Sequence, residues 1–305
     1  MQLLELKEVS KFYGSYCALN RVSFSVPRGS IFGLLGPNGA GKTTTLRIIN
    51  QILAPDEGQV LFENRPLRSD DVERMGYLPE ERGLYKKMRV GEQALYLAQL
   101  KGLDRKEALK RLKYWFEKLE ITGWWDKKVE QLSKGMAQKV QFVTTVVHDP
   151  ALLIFDEPFS GFDPINASML KNEILELKNR GATIIFSTHN MNSVEELCDA
   201  IALINRSQVI LAGEVEAIKQ QHKKNIFEVI FTGSVEAFQR ALRTATFEIL
   251  SIRTDRTQHQ AVVKILSAPA DNELLKSIIE SVHVVSYREI LPTMDEIFID
   301  VVTGK

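Results

Sequence analysis

Three stretches of the chain carry residue types at spacings suited to phosphate chemistry. The run Gly36-Pro37-Asn38-Gly39-Ala40-Gly41-Lys42-Thr43 fits the pattern Gly, any four residues, Gly, Lys, then Ser or Thr. Gly36, Gly39 and Gly41 let the backbone curl with its N–H groups inward, and a helix beginning near Gly41 adds the positive end of its dipole, so the loop forms an anion cradle. Lys42 is placed to reach the terminal phosphates of a nucleoside triphosphate, and the Thr43 hydroxyl is placed for Mg²⁺. Thr44 continues the cradle into the helix, between Thr43 and Thr45. In the second stretch, Ala151-Leu152-Leu153-Ile154-Phe155-Asp156-Glu157, an apolar run ends in paired carboxylates. Asp156 suits a metal, directly or through water, and Glu157 suits a general base on an attacking water. The third, Thr183 to His189, repeats the design with His189 at the carboxyl end of an apolar strand. That histidine is either a hydrogen-bond donor to the terminal phosphate or a capping surface residue.

Those groups need buried strands ending beside one another. Short apolar runs at residues 3–6, 22–26, 31–35, 60–62, 152–155, 183–187 and 201–204 alternate with amphipathic stretches. That pattern predicts an α/β domain with a largely parallel sheet over residues 1–215. Between about 88 and 148 the strand signal stops, and apolar residues recur at helical spacing over 91–101, 105–119 and 133–148. We read an inserted helical subdomain there. Leu132-Ser133-Lys134-Gly135-Met136 opens the last of these helices, with Ser133 as its cap. From 216 to 305 the order changes to strand 226–231, helix 234–242, strands 247–252 and 261–265, helix 271–279 and strand 282–287. This is the βαββαβ plan of a small α+β, ferredoxin-like accessory domain, followed by a last helix over 294–302.

Lysine plus arginine (39) balance aspartate plus glutamate (39), so no net positive charge draws the chain to nucleic acid. Cys17 and Cys198 are the only cysteines; their spacing predicts neither a disulfide framework nor a zinc site, and a reducing compartment suits them. No apolar stretch is long enough to span a bilayer, and the amino terminus lacks the basic start of a secretory signal, which predicts a cytosolic chain. Of Trp115, Trp124 and Trp125, all in the helical insertion, at least one is expected in the core. Lys127 and Lys128 are expected on a solvated face.

The order of the phosphate loop, Leu132-Ser133-Lys134-Gly135-Met136, Asp156-Glu157, Ser160-Gly161-Phe162-Asp163 and His189 resembles the ATP-binding subunits of ABC transporters over about residues 2–215. The resemblance implies a P-loop NTPase (RecA-like) core with added antiparallel strands, ATP and Mg²⁺ as ligands, and ATPase domains paired head to tail. Ser133 and Gly135 would then bind nucleotide in the partner's site, and Asp163 would sit at the dimer seam. Tyr13 matches the aromatic that stacks on adenine, with Tyr16 as a rival. Glu80 replaces the usual glutamine that touches Mg²⁺ and the membrane subunit, and a carboxylate still ligates Mg²⁺. Lys134 and Met136 also depart from the usual Leu-Ser-Gly-Gly-Gln, while Ser133 and Gly135 remain. Met88-Arg89-Val90 would border the groove that accepts a short helix of the membrane subunit.

These variants, with Leu291-Pro292-Thr293-Met294-Asp295-Glu296-Ile297-Phe298, resemble the ABC-2 type branch of sodium-efflux and drug- or antibiotic-export systems. The implied function is ATP hydrolysis powering an export-type transporter. The implied partners are a second ATPase domain, as a homodimer or other pair, and a polytopic permease, with no nucleic acid. The implied location is cytoplasmic, peripheral on the inner face of the membrane. A soluble ATPase of this fold acting on ribosomes or nucleic acid is the rival, and the neutral charge and single phosphate loop count against it. A nucleotide-sensing protein would require Glu157 or Glu80 to be inactive.

Overall fold

Two long strands open the chain, β1 (Gln2–Tyr13) and β2 (Tyr16–Pro27), paired antiparallel from Gln2↔Pro27 to Tyr13↔Tyr16. Both run well beyond the apolar stretches that predicted them. Register shifts follow Leu6 and Val9, and Glu8 and Arg21 take left-handed backbone (φ 48° and 51°). Such bulges break the apolar alternation while the ladder continues. The computed structural model describes residues 1–80, 83–160, 162–266 and 271–303.

The elements that follow are β3 (Ile31–Leu35), α1 (Lys42–Ile49), β4 (Glu57–Phe62), β5 (Arg65–Pro66), β6 (Met75–Leu78), α2 (Val90–Leu100), α3 (Arg105–Lys118) and α4 (Lys134–Val146). Then come β7 (Leu152–Asp156), α5 (Pro164–Asn179), β8 (Thr183–Thr188), α6 (Met191–Leu197), β9 (Ala200–Asn205), β10 (Gln208–Glu214) and α7 (Val215–Gln221). A six-stranded sheet takes the order β10-β9-β3-β8-β7-β6 and a four-stranded one the order β2-β1-β4-β5. In the larger sheet β6, β7, β8, β3 and β9 are parallel, with β10 antiparallel at one edge. Every residue of β3, β7 and β8 is buried, as expected of parallel strands covered on both faces. One apolar cluster, including Leu6, Val26, Phe32, Leu46, Ile154 and Ile185, joins the two sheets and α1.

Helices α2, α3 and α4 fill the interval between β6 and β7. Asp104 caps α3 by accepting from the Lys106 and Glu107 amides. Trp115 is buried and meets Phe142 edge-on at 5.9 Å. Trp125 lies edge-on to Phe116 and covers Gly91 so closely that a Cβ there would stand 2.2 Å from its ring. Two of the three tryptophans therefore serve packing, while Lys127 and Lys128 are exposed.

By its contacts the chain divides into two units, Met1–Val215 and Glu216–Lys305. The second contains β11 (Ile226–Thr232), α8 (Val235–Ala241), β12 (Phe247–Asp255), β13 (Gln258–Ile265), α9 (Asp271–Ile279), β14 (His283–Ile290) and α10 (Met294–Thr303). Its antiparallel sheet has the order β12-β13-β11-β14, so the first and last strands of the βαββαβ unit are neighbours, the ferredoxin-like arrangement. Period-two alternation sends Phe227, Val229 and Phe231 into a core with Phe238, Leu274 and Ile278. On the other face Glu228 accepts from Gln260 Nε2 at 2.5 Å and Arg288 Nε at 2.6 Å. The guanidinium holds that carboxyl below its ordinary range.

Candidate functional site

The phosphate loop connects β3 to α1, and its glycines are there for geometric reasons. Gly36, Gly39 and Gly41 have φ of 147°, 80° and 116°, a region costly for residues with a Cβ. A Cβ on Gly36 would stand 2.1 Å from the Ile204 carbonyl oxygen, and one on Gly41 2.7 Å from that of Ala18. Gly39 has open space around it, so only its backbone conformation requires glycine. Lys42 is the first residue of α1 and only 7% exposed. Its Nζ donates to the carbonyls of Gly36 at 2.7 Å and Pro37 at 3.2 Å, which holds the charge at the centre of the loop. Burial lowers the Lys42 pKa, and Glu157, Asp156 and Glu80 oppose that shift.

Parallel register brings the other groups to the same end of the sheet. Leu35 pairs with Thr188, and Asp156 with Ser187, so β3, β7 and β8 all deliver their carboxyl ends beside the loop. Asp156 is 3% exposed. Burial raises its pKa, and the nearby Glu80 and Glu157 carboxylates add to the rise. Glu157 takes left-handed backbone at φ 49°, with its amide donating to the Ser187 carbonyl at 3.0 Å. A side chain held in that region by tertiary contacts marks a place where geometry is constrained. Thr188 Oγ1 donates to Glu157 Oε2 at 3.3 Å, and His189 Nδ1 lies 2.7 Å from Oε1. An ionised carboxylate only accepts, so Nδ1 carries the proton in this contact.

These residues surround one cleft of about 240 Å³, bordered also by Asn38, Thr43, Thr44, Tyr13 and Tyr16. Pro37 and Ala40 shape the loop behind it. The structure therefore brings together the loop, Glu80, Asp156, Glu157 and His189. It leaves both tyrosines at the mouth: Tyr13 and Tyr16 pair across the β1–β2 turn, and the Tyr16 hydroxyl donates to the Gly39 carbonyl at 3.5 Å. Thr188 escaped the sequence reading because its type is ordinary at a strand end; its place just before His189 was the available signal. Among the described residues no three acidic, histidine or cysteine side chains gather closely enough to hold a metal by themselves. Thr43, Asp156 and Glu80 nonetheless offer hard oxygens around the cleft, which fits Mg²⁺, an ion held by one or two carboxylates and completed by substrate phosphates.

Three candidates lie apart from the cleft. Ser133 is exposed and caps α4, accepting from the Met136 amide at 3.2 Å. Gly135 follows it in the first turn. Asp163 caps α5, accepting from the Ile165 and Asn166 amides at 3.0 Å each and from Asn166 Nδ2 at 2.5 Å. The hydrogen bonds from Asn166 are the main reason its pKa is lowered. Gly161 lies outside the described residues. The expectation for Met88-Arg89-Val90 needs correcting. Val90 is fully buried, because it opens α2 with its side chain in the core. The groove of about 300 Å³ on that side is bordered instead by Tyr77, Pro79, Leu84, Leu97 and Leu100, with His148 and Lys101 beside it.

Comparison with known proteins places these features in a family. The ABC transporter family matches residues 19–160, and the C-terminal domain of DrrA1-3-like ATP-binding proteins matches residues 213–302. The ABC transporter ATP-binding protein YhaQ of Bacillus subtilis is 46% identical over 225 residues, covering 73% of this chain and 76% of the relative. The linearmycin resistance ATP-binding protein LnrL of Bacillus subtilis is 29% identical and covers 99% of each chain. The lantibiotic transport ATP-binding protein SrtF of Streptococcus pyogenes is 32% identical over 70% of this chain and 92% of its own. A solved ATP-binding subunit of an ABC transporter superposes with a TM-score of 0.67 at 33% identity, covering 72% of this chain and 92% of that one.

Proposed function

The chain belongs to the ATP-binding subunits of ABC transporters, and from that premise we propose how its cleft binds and hydrolyses ATP to power an export-type transporter. The loop 36–44 holds the triphosphate through its inward N–H groups, the amino end of α1 and Lys42. The burial penalty that lowers the Lys42 pKa is offset by the attraction of phosphate charge beside it. Thr43 and Asp156, with Glu80 nearby, would hold Mg²⁺, which would supply positive charge against the phosphates. Glu157, oriented by Thr188 and His189, takes a proton from the water whose oxygen attacks the γ-phosphorus; ADP departs with the electron pair of the broken P–O bond. His189 stands on the γ-phosphate side, and Tyr13 or Tyr16 stacks on the base. One observation carries this reading: a glycine loop with a buried lysine and the paired carboxylates at the end of β7 border one cleft.

Ser133, Gly135 and Asp163 complete the site of a second copy. Two chains pair head to tail across ATP, and pairing and release pull a separate polytopic permease between access states. The protein is then cytoplasmic and peripheral at the inner face of the membrane; among the described residues no helix is long and apolar enough to cross it. The export direction is supported by relatives named for lantibiotic transport and linearmycin resistance. Lys42→Ala in the full-length chain abolishes ATP turnover, measured as phosphate release; undiminished turnover refutes the phosphate site. Co-purification from membranes with a polytopic protein supports the transporter role, and recovery with ribosomes favours the soluble rival.

A further inference from the structure

Two segments, the start of α4 and the turn that follows Glu157, are fastened to each other. Gln138, in the second turn of α4, donates its side-chain amide to the Ser160 carbonyl. Nearby, a Cβ on Gly135 would stand 3.9 Å from Phe162 Cδ1, so the glycine lies against that ring with room to spare. Ser160 in turn donates its amide to the Glu157 carbonyl at 3.0 Å, and the Phe159 ring packs on Phe186 of β8 at 5.4 Å. A continuous path of contacts therefore runs from Glu157 through Ser160 and Gln138 to the helix start that presents Ser133 and Gly135.

The choice of glutamine is informative. Its Oε1 is buried and without a hydrogen-bond partner, a state that native proteins mostly avoid. A methionine would fill the same space with no such penalty. What the glutamine adds is the single bond from Nε2 to Ser160. That bond ties the start of α4 to a turn anchored on the central sheet.

We propose that Gln138 is a positioning residue acting in trans. It holds Ser133 and Gly135 in fixed relation to the Glu157 turn of the same chain, so that they meet nucleotide bound by the opposite copy in the correct register. This rests on the head-to-tail pairing proposed above. Gln138 touches neither nucleotide nor the reacting atoms, and its effect falls on pairing rather than on the cleft of its own chain.

The test uses the full-length chain carrying Glu157→Gln, which holds ATP unhydrolysed, with Gln138→Met and Gln138→Glu added separately. Methionine keeps the packing and glutamate the length and polarity, and both remove the amide donor. ADP affinity, measured by calorimetry on unpaired chains, is expected to stay within about twofold of the parent. ATP-driven dimerisation, measured by sedimentation, is expected to weaken by about three- to tenfold, the size of one neutral hydrogen bond. Undiminished dimerisation overturns the inference. So does a parallel fall in ADP affinity, which would place Gln138 in its own chain's fold or cleft. If the Glu157→Gln parent fails to pair in ATP, the pairing reading itself has failed and the role of Gln138 falls with it.

Discussion

In the proposed mechanism turnover depends on Glu157, and its surroundings separate its role from that of its neighbour. Glu157→Gln keeps the length of the side chain and its contact with Thr188 but removes the base. Hydrolysis is expected to fall by on the order of 10²–10⁴ while ATP still holds two chains together, measured by phosphate release alongside sedimentation. Normal turnover would assign the base elsewhere. Asp156 answers to a different measurement. Its native pKa is raised by burial and by the adjacent carboxylates. The fold therefore bears a cost that grows as the pH rises from the ordinary aspartate range through that raised value, and the cost is absent below that range. Asp156→Asn should accordingly stabilise the nucleotide-free protein at neutral pH, with a gain over wild type that shrinks as the pH falls toward 4. Urea unfolding at several pH values checks this, and a pH-independent difference would contradict it. The same substitution should abolish Mg²⁺-dependent hydrolysis. In the proposed mechanism the stability cost and the chemical use of Asp156 are one property: a carboxylate kept dry for a cation.

At the scale of elements, the interval between β6 and α4 shows how far sequence patterns reach. His148, just beyond α4, bonds through Nε2 to the Met75 carbonyl at 3.2 Å, the same oxygen that accepts from Lys101 Nζ at 2.8 Å. Burial, reinforced by Lys101, pushes its pKa down to about 4. A neutral buried histidine stabilises the fold above its unfolded pKa, and that stability is lost as the pH drops from there through about 4. Full loss amounts to about 3 kcal/mol by linkage. His148→Gln should flatten this part of the acid-unfolding profile, and a variant as acid-sensitive as wild type between pH 6.5 and 4 would exclude the role. None of this was visible in sequence, where His148 merely ended a helical pattern. Strands β3, β7 and β8 were legible because burial on both faces makes them continuous apolar runs. Strand β6 escaped because it has four residues, Gly76 among them, and β10 because it is an exposed edge. Helix α5 went unread, although Asp163 followed by Pro164 is the cap and first-turn proline of a helix. Met88-Arg89-Val90 misled for a related reason, since adjacency in sequence does not say which face a helix start presents.

For the whole molecule, the telling fact is what the cleft omits. Ser133, Gly135 and Asp163 are helix caps or first-turn residues that do not border the cleft. Mixed pairs test whether a second copy uses them. Ser133→Arg and Lys42→Ala each spoil both sites of a like pair under head-to-tail geometry, whereas one intact site forms when the two variants pair with each other. Mixing the inactive proteins is expected to restore part of the turnover; no recovery in mixed dimers shown to form would reject that geometry. From its residues alone the chain determined that a phosphate loop, a carboxylate pair and a polar strand end exist, because each is a local motif whose chemistry follows from a few consecutive side chains. The βαββαβ order after residue 216 was legible for the same reason, since alternation and helical spacing are local. Only the tertiary structure decided that β3, β7 and β8 end together, that Thr188 and His189 hold the Glu157 carboxylate, and that Gln138 fastens α4 to the Ser160 turn. Those relations join residues far apart in the chain, and they are set by parallel register and packing, which no local pattern encodes.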